Sequence, residues 1–230
     1  MKVRIRFAKT GNMRYIGHLD VMRYFQKAIK RAGIDIAYSK GFSPHPVMSF
    51  ALPLGVGVSS EGEYLDIEVN SLISSKEAVK ALNEVMAEGF SVSDYVLLPD
   101  DSKKGMTLVG AADYVISFNQ EAGFEIDETT LKGFKAFIDE SQTIETVKTG
   151  KHGGTFMDIK PLIYRFDVED FKVFMRLAAG SKNNLKPELV MEEAFKNQGL
   201  DFDRNMIVIH RTELLDESCT PLKDLGEIIE

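Results

Sequence analysis

From its first residues the chain alternates. Over Lys2 to Ala8, Val3, Ile5 and Phe7 fall on one side and Lys2, Arg4 and Arg6 on the other, the period-2 pattern of a strand with one buried face. From about His18 to Ala32 the period becomes helical. Leu19, Met22, Phe25, Ile29 and Ala32 recur at helical spacing, Arg23, Lys27, Lys30 and Arg31 take the other face, and Gly33 supplies the stop. A short strand over Ile34 to Tyr38 comes next, then a long loop carrying Pro44 and Pro46, then a strand over Glu63 to Val69 with Leu65, Ile67 and Val69 inward. Lys76 to Glu88 is helical, with Val79, Leu82, Val85 and Met86 on one face and Gly89 at its end. Ser91 to Leu98 is a last strand before Pro99.

The order strand, helix, strand, strand, helix, strand is that of the split βαβ, or ferredoxin-like, arrangement: a four-stranded antiparallel sheet with two helices on one face. A polar linker over Pro99 to Gly105 separates it from a second set in the same order. Its strands are Asp113 to Phe118, a stretch near Ile144 to Thr149, Phe171 to Leu177 and Asn205 to Arg211, and its helices are Glu128 to Asp139 and Pro187 to Asn197. The expected fold class is α+β, with two tandem ferredoxin-like domains over residues 1–100 and 112–213. Residues 214–230 are expected to form a partly ordered acidic C-terminal tail.

Composition narrows the functional classes. The 230 residues are 44% hydrophobic and 27% charged, near globular averages, which excludes a disordered, collagenous or membrane-embedded chain. One cysteine rules out a disulfide framework, a four-cysteine zinc site and a three-cysteine iron–sulfur cradle, and suits a reducing compartment. The N-terminus has no apolar signal stretch, and the most apolar run, Val47 to Val58, is broken by Pro53, Gly55 and Gly57, so a cytoplasmic location is expected.

The net charge of −7 argues against a protein that coats nucleic acid over its whole surface, yet the charge is uneven. Residues 1–50 hold ten basic side chains against two acidic ones, a local +8, and the rest of the chain carries −15. Either one surface meets an anion such as nucleic acid, or the basic strand and helix face acidic neighbours within the fold. Arg4 and Arg6, for instance, are placed to lie across from Asp66 and Glu68 as cross-strand pairs.

Three segments carry candidate anion-binding groups. Lys9 to Asp20 joins a strand to a helix and brings Lys9, Arg14 and His18 to the helix N-terminus, where free amides favour an anion; the plain alternative is a connection capped by Asp20 or His18. The loop Lys40 to Pro46 places His45 between two prolines, and with Lys40 and Phe42 it is a pre-organised surface for single-stranded RNA or a phosphorylated ligand, or else a structural crossover. Lys148 to Ile163 has Lys148, Lys151, His152 and a Gly-Gly pair at a basic hairpin tip suited to a phosphate backbone or to solvent.

Catalytic signals are sparse. Four histidines lie apart without metal-ligand spacing, and no nucleophile or dinucleotide motif is present. No metal or cofactor is expected. A metal-independent ribonuclease needs only a general acid and base near a phosphate, for which His18 and His45 are the candidates.

The long segment from Arg4 to Val69, RIRFAKTGNMRYIGHLDVMRYFQKAIKRAGIDIAYSKGFSPHPVMSFALPLGVGVSSEGEYLDIEV, resembles the opening of the uncharacterised radical-SAM-linked protein family, and GGTFMDIKPLI resembles its second block. In that family the module is fused to B12-binding radical SAM proteins or encoded as a separate chain. The resemblance implies association with such an enzyme and work on RNA or the translation apparatus. The favoured reading is an accessory module that binds RNA (tRNA or rRNA) or presents substrate, with Lys9, Arg14, Lys40 and His45 gripping phosphates and Arg23, Lys27, Lys30 and Arg31 as a second basic face. Two alternatives stand beside it. One is a metal-independent endoribonuclease like those that process CRISPR RNA, and the other is a protein–protein adaptor without RNA binding.

Overall fold

A computed structural model describes residues 1–119, 126–150 and 153–230, with backbone only for 148–150 and 153–155. The fold is mixed α+β on antiparallel sheet, and the chain divides into two compact units, Met1–Gly110 with Arg211–Glu230, and Ala111–His210.

In the first unit β1 (Lys2–Lys9), α1 (His18–Arg31), β2 (Met48–Phe50), β3 (Ser59–Glu68), α2 (Ser75–Val85) and β4 (Phe90–Leu98) follow one another. β1 lies between β3 and β4 and is antiparallel to both, and β2 pairs with β3 on its other side. Val3, Ile5 and Phe7 of β1 are buried with Leu65 and Ile67 of β3 beneath Phe25 and Ile29 of α1 and Leu82 of α2. Each such side chain contributes about 1.5 to 3 kcal/mol by leaving water.

The buried stripe of α1 is Val21, Phe25, Ala28 and Ile29, so Leu19, which fits the same period from sequence, is 60% exposed. Gly33 follows the cap residue Ala32 with φ +72°, the left-handed stop expected of it. Ser74 and Glu77 form a reciprocal capping box on α2. Ile34 to Tyr38 makes only isolated bridges, Ile36 with Val69 and Tyr38 with Pro46, where a strand was expected. The second strand position belongs to β2, twelve residues on from Ile36, hidden from sequence by its three-residue length.

The short helix α3 (Gly105–Leu108) leads into β5 (Val109–Phe118), which is followed by α4 (Glu128–Glu140), β6 (Glu145–Gly150), β7 (Gly153–Asp158), β8 (Ile163–Glu169), β9 (Lys172–Ala178), α5 (Pro187–Asn197) and β10 (Ile207–Asp216). β5 and β10 have residues in both units. In the second unit the order is β10-β5-β9-β8, and β6 pairs only with β7 as a separate hairpin. The stretch near Ile144 to Thr149 is therefore a strand, but its expected sheet position is taken by β8. Of β8 only Phe166 is fully buried, and an edge strand of that kind leaves little alternation to read. Phe134 of α4 and Phe195 of α5 anchor the core of this unit, with ring centroids 4.9 Å apart.

Residues 214–230 are ordered parts of the first unit, where sequence suggested a tail. Leu214, Leu215 and Leu222 are buried, β11 (Glu227–Ile228) pairs with β4, and Ser75 and Ile229 exchange two hydrogen bonds of 2.9 Å. The acidic count of this segment concealed its apolar anchors.

Candidate functional site

The basic side chains of residues 1–50 separate into two classes. Those on β1 are spent inside the fold. Arg4, with no exposed surface, donates from Nε and Nη2 to the two Asp66 carboxylate oxygens at 2.7 and 3.0 Å and from Nη1 to the Leu222 carbonyl at 2.9 Å. Arg6 lies opposite Tyr64 and pairs with Glu213 at 3.2 Å, not with Glu68. Lys2 donates to the carbonyls of Asp100 and Ser102.

Lys9 is the clearest correction. It is 2% exposed, and its ammonium donates to the Ile16 carbonyl at 2.7 Å, so it braces the loop before α1 and does not face a phosphate. Burial pushes its pKa down, Glu63 opposes that, and Arg211 adds to it. Beside it Glu63 and Arg211 form a buried bidentate pair with contacts of 2.8 and 2.6 Å, and Arg211 also donates to the Leu52 carbonyl at 2.7 Å. Sequence reasoning missed this pair because its partners are 148 positions apart.

The cations on α1 are different. With Val21, Phe25, Ala28 and Ile29 turned inward, Arg23, Lys27, Lys30 and Arg31 are all exposed. Arg23 reaches Asp20 at 3.1 Å and Arg31 donates to the Val85 carbonyl at 3.2 Å; Lys27 and Lys30 have no ion pair among the described residues. Lys30 and Arg31 in the last turn also suit the helix dipole, a contribution of about 0.3 to 1 kcal/mol that does not require a ligand. Neither Asp20 nor His18 caps α1. The N-cap is Gly17, which has no side chain to offer, and the His18 ring packs edge-on against Phe50 with centroids 5.1 Å apart.

Arg14 stands just before α1 with its guanidinium 4.8 Å from the centre of the exposed Tyr15 ring and its Nη2 2.7 Å from the Tyr15 hydroxyl. The 39–45 loop is tied at its neck. Ser39 N donates to the His45 carbonyl at 2.9 Å, His45 N donates to Ser39 Oγ at 3.1 Å, and His45 Nδ1 lies 2.9 Å from the same hydroxyl. His45 thus serves as a clasp, and the loop beyond it holds up Lys40 and a Phe42 that touches almost nothing. Gly41 has φ +119°, a conformation that side chains disfavour. Among the described residues Phe42 is the most exposed of the large hydrophobic side chains.

Lys148 lies in β6 with only its backbone described, and Lys151 and His152 lie outside the described residues. Among the described residues no three His, Cys, Asp or Glu side chains gather where they would hold a metal. No described contact joins His18 to His45, as a shared acid–base site would need. Among the described residues no helix is long and apolar enough to cross a membrane.

A family profile described as an uncharacterized protein conserved in bacteria (DUF2344) matches residues 2–187. The chain belongs to this family. The match takes in the whole of α1, the clasped loop and both sets of strands and helices up to the start of α5. No curated protein matches this member of the family. Among solved structures it is similar to a chain of a Cbf5-Nop10-Gar1 complex, at 12% identity and a TM-score of 0.47, over 92% of this chain and 48% of that one. It is also similar to an unknown protein from Galdieria sulphuraria, at 13% identity and a TM-score of 0.27, over 91% and 96% of the two chains. The chain spans about half the length of the first of these. Neither likeness carries an argument about what the family does.

Proposed function

We propose that the chain is a non-catalytic, RNA-binding accessory module that grips phosphates with the exposed face of α1, assisted by Arg14 and by Lys40 and Phe42 of the clasped loop. The observation that carries this reading is the division of the basic residues: Arg4 and Arg6 of β1 are neutralised by carboxylates and Lys2 and Lys9 are tied to backbone carbonyls, whereas Lys27 and Lys30 have no ion pair among the described residues on a protein of net charge −7. An unneutralised stripe on an acidic body favours a polyanion along one face. Phe42 adds a ring on which a base can stack. Each unit is read as a split βαβ domain, a reading supported by the order β4-β1-β3 with β2 also paired to β3, and by the order β10-β5-β9-β8. A B12-binding radical SAM enzyme is the proposed partner, on the resemblance of Arg4 to Val69, with tRNA or rRNA as the RNA and the cytoplasm as the setting.

The test is binding of the purified chain to total cellular RNA across a salt series in EDTA, with RNA length checked afterwards. Six cations (Arg14, Arg23, Lys27, Lys30, Arg31 and Lys40) set an upper limit on phosphate contacts. At about 0.7 per contact the slope of log K on log salt reaches about −4, roughly 300-fold between 50 and 200 mM. Lys27→Ala/Lys30→Ala is expected to reduce that slope by about 1.4. Wild-type binding by the double variant, or none by the native chain at low salt, overturns the proposal. Absence of binding transfers the surface to an acidic protein partner, and shortened RNA reopens the endoribonuclease reading.

A further inference from the structure

Beyond the cationic helix, the opposite face of the first unit's sheet encloses a cavity. Lys2, Arg4 and Arg6 of β1 share this face with Asp66 and Glu68 of β3, away from α1 and α2. The segment after β4, a polar linker by sequence, folds back across it. Lys2 Nζ donates to the carbonyls of Asp100 and Ser102 at 2.7 and 3.0 Å, and Gly105 N donates to Asp66 Oδ2 at 2.7 Å. Between this strap and the strands lies a cavity of about 370 Å³, within the size range of small-ligand sites.

Its lining has two ends. Val47, Met48 and Leu98 supply an aliphatic wall, and Ser102, Lys103 and Lys104 supply the polar end. Asp66 brings no free charge to it, because both carboxylate oxygens are bonded to Arg4 and one also accepts the Gly105 amide, and the exposed Glu68 carboxylate that also lines the space is outweighed by Lys103 and Lys104. Lys103 and Lys104 are exposed and have no ion pair among the described residues. Ser102 Oγ is buried, with no hydrogen-bond partner among the described residues, and does not itself face the space. No aromatic side chain lines the space, so it is not built to stack a base.

We infer that this cavity is a binding site for a small amphipathic organic anion, a carboxylate or phosphate monoester with a short aliphatic body. The body lies on Val47, Met48 and Leu98. The headgroup accepts hydrogen bonds from the ammonium groups of Lys103 and Lys104. Such charge-assisted bonds need both the negative charge and the acceptor oxygens, and the aliphatic wall rejects a strongly hydrated inorganic ion.

The experiment is a titration of the full chain with octanoate and with octyl phosphate by calorimetry, with octylammonium as the charge control. At least one anion is expected to saturate a single site, and which of the two binds tighter identifies the headgroup. Lys103→Glu/Lys104→Glu, changes at exposed positions, is expected to weaken it by about tenfold or more. Val47→Trp, which fills the space, is expected to abolish it, with circular dichroism confirming that the variant folds. The inference fails if neither anion saturates a site, if octylammonium binds equally well, or if reversing both lysine charges changes nothing.

Discussion

Glu63 and Arg211 permit a prediction whose size follows from the structure. Both are almost fully buried, and Arg211 contributes two bonds to the Glu63 carboxylate and one to the Leu52 carbonyl. Removing one partner of such a pair leaves a charge that neither water nor protein compensates, a cost of about 3 to 5 kcal/mol. Lys9 makes the two single changes unequal. In Arg211→Met the stranded Glu63 carboxylate still has the Lys9 ammonium near it. In Glu63→Gln, Lys9 and Arg211 remain as two buried cations, each already unfavourable to the other.

The expected order of stability is therefore native, then Arg211→Met, then Glu63→Gln. The double change Glu63→Leu/Arg211→Met recovers most of the loss, because well-packed apolar residues replace a buried pair at little net cost. Urea unfolding followed by circular dichroism measures this, and tryptophan fluorescence is no help because the chain has none. At about 2 to 4 °C per kcal/mol for a chain of this length, Arg211→Met lowers Tm by about 6 to 20 °C. A loss below about 1 kcal/mol for Arg211→Met, or a milder effect for Glu63→Gln than for Arg211→Met, refutes the reasoning.

Three further outcomes are expected. Burial pushes the Tyr95 phenol up to about 12, so its contribution to stability is fully present below about pH 10 and is lost as pH rises through about 12. Phenolate absorbance should show that late ionisation and lose it in Tyr95→Phe, which near neutral pH is expected to be neutral or stabilising by about 1 kcal/mol, because the Tyr95 hydroxyl is buried without a hydrogen-bond partner among the described residues. In Gly62→Ala the new methyl lies 2.4 Å from the Thr212 carbonyl oxygen and 2.6 Å from Glu213 Cα, so urea unfolding should report a loss of about 1 to 3 kcal/mol. Phe42→Ala, at a fully exposed position, should leave Tm within about 1 °C of native while weakening single-stranded RNA by about 1 to 3 kcal/mol; unchanged RNA affinity removes Phe42 from the proposed surface.

Local pattern was legible in the sequence by itself. The alternation of β1, the stripe on α1 and the glycine stop at Gly33 follow from side-chain periods and backbone sterics, which act over a few residues. The exposed cations of α1 were readable for the same reason, since a helix with one apolar face must present the other to water. Tertiary structure decided where each charge goes. The sequence groups Lys9 with Arg14 as a phosphate ligand, but its ammonium is spent on the Ile16 carbonyl, a partner that only the folded loop supplies. His45, a candidate ligand by sequence, is the clasp of its own loop. The strap over Asp66 and the return of Arg211 to Glu63 join residues 39 and 148 positions apart. Such contacts leave no local period, because what selects them is burial and hydrogen-bond completion in the assembled core, which depends on the whole chain at once.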